Sequence, residues 1–171
     1  QAEEKSVSHG MTLPVAVNSR TQFDGILLRL SERVGRRLRR KGFLGQRVHL
    51  WARYDGFDNH EGLGGQRKLP SCTDDSQKIY HTVQSLIPEA GLHSPIRQVY
   101  VGVSGLRRHA VQLSLVEDVV QQRQLQQAMD DVNDRFGEFS IMRGTTLLDT
   151  FPLRNGPPGH AFCKRFAIGS E

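Results

Sequence analysis

The most constraining feature of the sequence is a change of hydrophobic period between residues 23 and 54. Apolar residues recur at steps of three and four from residue 23 to residue 38, which predicts a long amphipathic helix. Residues 47–54 then alternate apolar and polar side chains, which predicts a strand with one buried face and one wet face. A long helix followed by such a strand indicates a fold in which helices cover one side of a sheet.

Short polar residues mark the ends of this first helix. Ser19 or Thr21 can cap its start, and Gly42 lies where a helix-terminating glycine is expected. The helix carries seven cations, at Arg29, Arg33, Arg36, Arg37, Arg39, Arg40 and Lys41. Those in the last turn favour the helix dipole. We interpret the set as the solvated back of the helix, on the opposite side of the sheet from its wet face.

The remaining elements follow in a regular order. The sequence predicts strands at residues 5–13, 66–69 and 96–104, helices at residues 75–87 and 125–136, and a glycine-rich loop at residues 55–65. Pro14 and Pro70 are expected to end the first and third strands, and Pro88 the second helix.

The resulting order, β-α-β-β-α-β, predicts an α+β fold. Its core would be a four-stranded antiparallel sheet with two helices on one face, and a C-terminal helix and an irregular tail would follow. We expect three parts. They are a core at residues 1–111, a helical extension packed on or beside it at residues 112–146, and the tail at residues 147–171.

Charge is distributed unevenly along the 171 residues, whose formal net charge is +5. Residues 1–68 hold 13 Lys and Arg against 7 Asp and Glu, whereas residues 69–171 hold 10 against 11. A basic half on a small domain indicates a polyanionic partner, most often nucleic acid. The alternative is a solvated basic face.

Several classes of protein do not fit this composition. No apolar run approaches the roughly 20 residues that span a bilayer, and the N-terminus lacks the pattern of a signal peptide. Cys72 and Cys163 alone cannot form a disulfide framework or a four-ligand zinc site. We therefore expect a cytoplasmic protein with no membrane partner.

Strand parity places a basic and aromatic group on the wet face of the sheet. If Val48 faces the helices, then Arg47, His49, Trp51 and Arg53 face outward. Trp51 is then either covered by a neighbouring loop or packed against nucleic acid, whose phosphates the arginines neutralise. The other strands add further candidates for backbone contacts, which are Lys5, Ser6, Ser8, Arg67, Lys68, Arg97 and Gln98.

Signatures of catalysis are missing from the sequence. Adjacent acids such as Asp130 and Asp131 point about 100° apart on a helix, and this pair is interpreted as a solvated face. The seven histidines are scattered without the spacing of metal ligands. The glycines at residues 62–65 lack the Lys-Ser/Thr of a phosphate-binding loop. We expect no enzyme, no metal site and no cofactor in this chain.

Five segments resemble, in the same order, the little-finger domain of Y-family translesion DNA polymerases. They are KSVSHGMTLP at residues 5–14, LSERVGRRLR at 30–39, RVHLWARYDGF at 47–57, LPSCTDD at 69–75 and PIRQVYVGVSGL at 95–106. The resemblance continues through the helix of the bacterial members and spans residues 5–146.

The resemblance implies a domain that holds the backbone of duplex primer–template DNA with its open sheet face. Lys5, Ser6, Ser8, Arg67 and Arg97 are the contacts it favours, whereas His49, Trp51 and Arg53 follow from strand parity alone. It also implies that the catalytic domains, with their Mg²⁺-binding carboxylates, belong to a parent polymerase of which this chain is an excised part.

A short segment at residues 112–116 supports an alternative function. Gln112, Leu113 and Leu115 resemble the peptide by which bacterial polymerases bind the sliding clamp, with Val116 at the position of its final Phe. The chain would then be a protein-interaction module. Alternatively, both leucines pack in the core. A third hypothesis, an RNA-binding domain, is disfavoured because the sequence offers no paired aromatics on the central strands.

Overall fold

The computed structural model describes residues 4–56, 61–108 and 117–141. The elements are β1 (Ser6–Val17), α1 (Arg20–Lys41), β2 (Phe43–Tyr54), β3 (Gly62–Thr73), α2 (Ser76–Gln84), β4 (Ile96–Ser104), β5 (Arg107–Arg108) and α3 (Glu117–Phe136). The chain divides into two compact units, at residues 1–112 and 113–171. No helix within the described ranges is both long and apolar enough to cross a membrane.

The first unit contains the predicted α+β fold. Its antiparallel sheet has the strand order β1–β4–β2–β3, so β4 and β2 are central and β1 and β3 are edges. The two-residue strand β5, which the sequence did not predict, pairs with the start of β2 at Phe43 and Leu44. The predicted four-stranded sheet is therefore confirmed, with one short addition.

Helices α1 and α2 cover one face of the sheet. The core between them is built from Phe23, Leu27, Leu30, Val34 and Leu38 of α1, Ile79 and Val83 of α2, and Val48, Leu50, Val99, Val101 and Val103 of the central strands. Gly35 sets the approach of the helices, because a Cβ atom there would overlap Ser76 Oγ. The single-face arrangement of the helices is as predicted.

The ends of α1 are also as predicted. Ser19 is the N-cap, and its side chain accepts a hydrogen bond from the backbone N–H of Gln22. Gly42 ends the helix with a φ of 67°, a left-handed conformation that glycine adopts without the steric cost of a Cβ atom. These local signals lie entirely within the helix and its neighbours, so the sequence alone was enough to find them.

Several predicted boundaries are wrong, and β2, at Phe43, and α3, at Glu117, both begin earlier than expected. Strand β1 continues through Pro14 to Val17, and β3 runs from Gly62 through Pro70 to Thr73. Both are edge strands whose pairing is irregular near the proline, and an edge or a bulge tolerates a missing N–H. Helix α2 ends at Gln84, four residues before Pro88, because the chain turns at Ser85.

The second unit contains α3 and the turn after it. Asn133 donates a hydrogen bond to the carbonyl of Ile141 and accepts one from its N–H, both at 3.1 Å. Asp130, one turn earlier on the same face, is buried, so its interpretation as part of a solvated face is wrong. Leu125 and Phe136 of the same helix are exposed.

Candidate nucleic-acid interface

The face of the sheet opposite α1 and α2 is called the open face here. The strand register places four residues from each long strand on it, in rows that cross the sheet. In strand order β1–β4–β2–β3 the rows are Ser6–Ser104–Arg47–Lys68, Ser8–Gly102–His49–Gln66, Gly10–Tyr100–Trp51–Gly64 and Thr12–Gln98–Arg53–Gly62. The first is the basic row and the third is the aromatic row.

The composition of these rows suits a polyanion. None of their positions carries Asp or Glu, and the cations lie at the two ends of the array. Arg47 and Lys68 occupy the basic row and Arg53 the last row, with Lys5 just before β1. A surface that carries one sign of charge attracts and steers polymers of the opposite charge.

A shallow groove of about 590 Å³ lies on the open face between the basic row and the aromatic row. Gly102, paired with Ser8 on one side and His49 on the other, leaves its floor without a side chain. Its polar lining consists of Lys5, Ser6, Ser8, His49, Gln66 and Ser104. Hydroxyl and ammonium donors of this kind are those that contact phosphate oxygens.

His49 contributes a hydrogen-bonding group and no charge at neutral pH. Its Nε2 atom lies 2.6 Å from Ser104 Oγ. Partial burial, together with the neighbouring Arg47 guanidinium, holds the pKa of His49 below its ordinary value of 6.5. The positive charge of the open face at pH 7 therefore comes from lysine and arginine.

An irregularity in β4 explains how Arg97 and Gln98 share a face. Simple alternation would place Arg97 on the same face as the buried Val99. However, Arg53 pairs with Gln98, and the next residue, Tyr54, pairs with Ile96. Arg97 is therefore an extra residue in β4 that has no partner in β2. Both Ile96 and Val99 are buried and the two residues between them are not. Arg97 donates a hydrogen bond of 2.8 Å to the carbonyl of Pro14, and Gln98 donates one of 3.2 Å to Thr12.

Arg67 does not join the other candidates. Its backbone pairs with Val48, whose side chain is in the core, so Arg67 lies on the helix-bearing side of the edge strand. Lys68, the next residue, pairs with Arg47 and lies on the open face. The structure thus places Lys5, Ser6, Ser8, His49, Trp51, Arg53, Lys68, Arg97 and Gln98 on or beside one surface and separates Arg67 from it.

The interpretation of the α1 cations as a solvated back is wrong for Arg33, Arg37 and Arg39, although Arg40 and Lys41 at the end of the helix are exposed. Arg37 donates a hydrogen bond of 2.7 Å to the carbonyl of Ser8, and Arg39 donates one of 2.7 Å to the carbonyl of Asp74. Arg33 donates to His9 Nε2 at 2.8 Å. Burial, with the charges of Arg33 and Arg37, lowers the pKa of His9 to about 4. Arg33 and Arg37 thus attach α1 to β1, and Arg39 attaches it to the start of α2.

The aromatic row is the feature that sequence reasoning missed. Trp51 is 47% exposed and Tyr100, its direct partner across the central strands, is 42% exposed. No loop of the described ranges 4–56 and 61–108 buries Trp51. The argument that the central strands offer no paired aromatics is wrong. Alternation places each ring on the open face, but only the register between β2 and β4 places them side by side.

The remaining predicted site, the clamp-binding segment, lies outside the described residues. The segment with Gln112, Leu113 and Leu115 falls outside the described ranges, as does the tail from residue 147. Among residues 4–56, 61–108 and 117–141, no three His, Cys, Asp or Glu side chains converge as metal ligands.

Residues 4–115 match the C-terminal domain of the impB/mucB/samB family. The chain is 35% identical over 149 residues to DNA polymerase IV 2 of Bacillus subtilis, an alignment that covers 84% of this chain and 35% of that protein. It is 33% identical over 157 residues to DNA polymerase IV of Moorella thermoacetica, covering 89% of this chain and 38% of that protein. The chain spans just over a third of the length of these relatives. It therefore belongs to the impB/mucB/samB family of C-terminal domains, the C-terminal domain of Y-family DNA polymerases.

Proposed function

We propose that this chain holds duplex primer–template DNA by its sugar–phosphate backbone, on the open face, for a translesion polymerase. The observation that carries the proposal is the open face itself. It has four rows without a single acid, and its cations lie at both ends. Backbone contacts from arginine, lysine and serine fix the position of a duplex without reading its sequence. The domain would therefore bind DNA of any sequence.

The dimensions of the open face fit this role. Residues two apart on a strand are separated by roughly 7 Å, so the four rows extend over roughly 20 Å. One strand of a duplex places a phosphate about every 3.4 Å along the helix axis. The two cationic ends, Arg47 and Lys68 against Arg53 and Arg97, would then contact phosphates roughly 20 Å apart on the same side of the duplex.

Polymerisation chemistry and its metal ions are assigned to other domains of the parent enzyme. The relatives are DNA polymerases, and this chain aligns with just over a third of their length. Its part in the reaction would be to keep the DNA on the enzyme during repair synthesis past damaged bases. In a bacterial cell that role places it in the cytoplasm with the chromosome.

The salt dependence of DNA binding tests this proposal. If Lys5, Arg47, Arg53, Lys68 and Arg97 each neutralise one phosphate, the logarithm of the affinity should fall against the logarithm of salt concentration with a slope of roughly −4 to −5. Between 50 and 200 mM salt the affinity for a labelled duplex should then drop several-hundred-fold. An affinity that stays constant over this range would contradict the proposal.

Clamp binding is a second candidate, supported by Gln112, Leu113 and Leu115 at residues 112–116. In this peptide mode a glutamine forms hydrogen bonds and the leucines fill an apolar pocket. The double variant Q112A/L115A should lose binding to a purified bacterial sliding clamp while its duplex affinity stays unchanged. Clamp binding that persists in the variant would contradict the assignment.

A further inference from the structure

The aromatic row carries one aromatic residue on each of the two central strands. Trp51 of β2 and Tyr100 of β4 are directly opposite each other, and both are exposed. The outer positions of the same row, on the two edge strands, are Gly10 and Gly64. No side chain within the row therefore stands beside the rings. Large exposed aromatics at the centre of a sheet face are unusual unless they meet a ligand.

The ring of Tyr100 lies down against the sheet. Atoms on both of its long edges are close to the backbone positions of glycines: a Cβ on Gly10 would lie 2.5 Å from Cδ2, and a Cβ on Gly102 would lie 3.6 Å from Cε1. The hydroxyl donates to Ser8 Oγ and thereby fixes the ring at its far end. The ring therefore leans towards β1, and Tyr100 keeps 42% of its surface exposed to a ligand.

Contacts with the backbone of a duplex would not involve the faces of these two rings. Bases in a duplex are stacked on one another and present only their edges in the grooves. Unpaired bases do present their faces, and proteins that bind single strands stack them on aromatic side chains beside a cationic path for the phosphates. The aromatic row has such a path, because Arg53 is two residues beyond Trp51 on β2 and Arg47 is four residues before it.

We propose that Trp51 and Tyr100 form a stacking site for the unpaired bases of single-stranded DNA. The inference rests on the proposed function for its charges, since the same cations would hold the phosphates. DNA is favoured over RNA because the relatives are DNA polymerases. Because the aromatic row lies between the two cationic ends, single-stranded DNA and the duplex would occupy the open face as alternatives.

The intrinsic fluorescence of the chain reports on this site directly, because Trp51 is its only tryptophan. A 12-nucleotide oligo-dT should quench the emission of Trp51 on titration. An abasic strand with the same number of phosphates should bind about tenfold more weakly and leave the emission unchanged. Equal affinity and equal quenching by the two strands would overturn the proposal. A 12-nucleotide oligo-rU that bound more tightly than oligo-dT would overturn the assignment to DNA.

Two variants distinguish base stacking on the rings from binding of the duplex backbone. Y100L removes one ring at an exposed position and should weaken oligo-dT binding about tenfold, while affinity for duplex DNA stays within about twofold. G10A keeps the ring but pushes it from its place against β1, so it should show the same pattern. A wild-type chain that does not bind duplex DNA would refute the proposed backbone contacts. If the oligo-dT affinity were unchanged in both variants, the stacking site would be refuted and the proposed duplex binding would be unaffected.

Discussion

Arg37 on the helix side of the sheet donates a hydrogen bond of 2.7 Å to the backbone carbonyl of Ser8, whose side chain lies on the open face. The guanidinium thus contacts the edge strand β1 from the helix side of the sheet. At the same part of the strand, the hydroxyls of Ser6 and Ser8 line the groove on the open face. Arg33 makes a parallel contact to His9, the next residue. The basic helix therefore supports the candidate DNA surface from the opposite side of the sheet.

Removing Arg37 should destabilise the domain. R37A leaves the Ser8 carbonyl without its charged donor in a half-buried position, and such hydrogen bonds contribute about 1.5–3 kcal/mol. R40A, at an exposed position on the same helix, is the matched control and should change the free energy of unfolding by less than about 0.5 kcal/mol. Urea denaturation measures both variants. Equal values for the two would show that the contact with Ser8 contributes nothing.

The stability of the domain should depend on His9 in mildly acidic solution. The pKa of His9 is about 4 in the folded protein and near 6.5 when unfolded, so the unfolded chain binds more protons between these values. Stability is therefore complete above pH 6.5 and falls as the pH is lowered towards 4, by up to roughly 3 kcal/mol.

The variant H9Q isolates this contribution. Glutamine can still accept a hydrogen bond from Arg33 but does not titrate, so the free energy of unfolding of H9Q should vary less between pH 6.5 and pH 4. Urea denaturation at several pH values in this window gives the two slopes. If H9Q lost stability as steeply as the wild-type chain, His9 would not be the group responsible.

Alanine at Gly35 should reverse the usual effect of a glycine-to-alanine change in a helix. In the interior of a helix this change normally stabilises by about 0.5–1 kcal/mol. Here the new Cβ would overlap Ser76 Oγ, so G35A should destabilise by about 1–3 kcal/mol as α1 and α2 move apart. T21A, at an exposed position of α1, is the control for helix propensity. A more stable G35A would contradict the close packing of the two helices.

Features that depend on local chemistry could be predicted from the sequence. The stripe of α1, its caps at Ser19 and Gly42, and the wet side of β2 all follow from spacing and residue type within a few neighbours. They were sufficient for the fold class and for most of the candidate surface.

Features set by pairing between distant strands could not be predicted. Whether Arg67 or Lys68 faces outward depends on the register of β3 against β2, which begins at Gly62, within a stretch interpreted as loop. The extra residue in β4 that turns Arg97 outward leaves no mark in the sequence. The arginines of α1 bond to backbone carbonyls of other elements, and any residue type supplies such an acceptor.

Cations on the open face and cations on the helix side should contribute differently to DNA binding. The triple variant R47A/R53A/K68A removes three charges from the open face. The variant R40A/R67A/K78A removes three from exposed positions on the two helices and on the helix side of β3, so the two proteins have the same net charge.

The measurement is the slope of duplex affinity against salt concentration for both variants and the wild-type chain. The account predicts that the slope falls by about 3 in the open-face variant and stays near the wild-type value in the helix-side variant. Equal slopes in the two variants, or the larger loss in the helix-side variant, would contradict the placement of DNA on the open face.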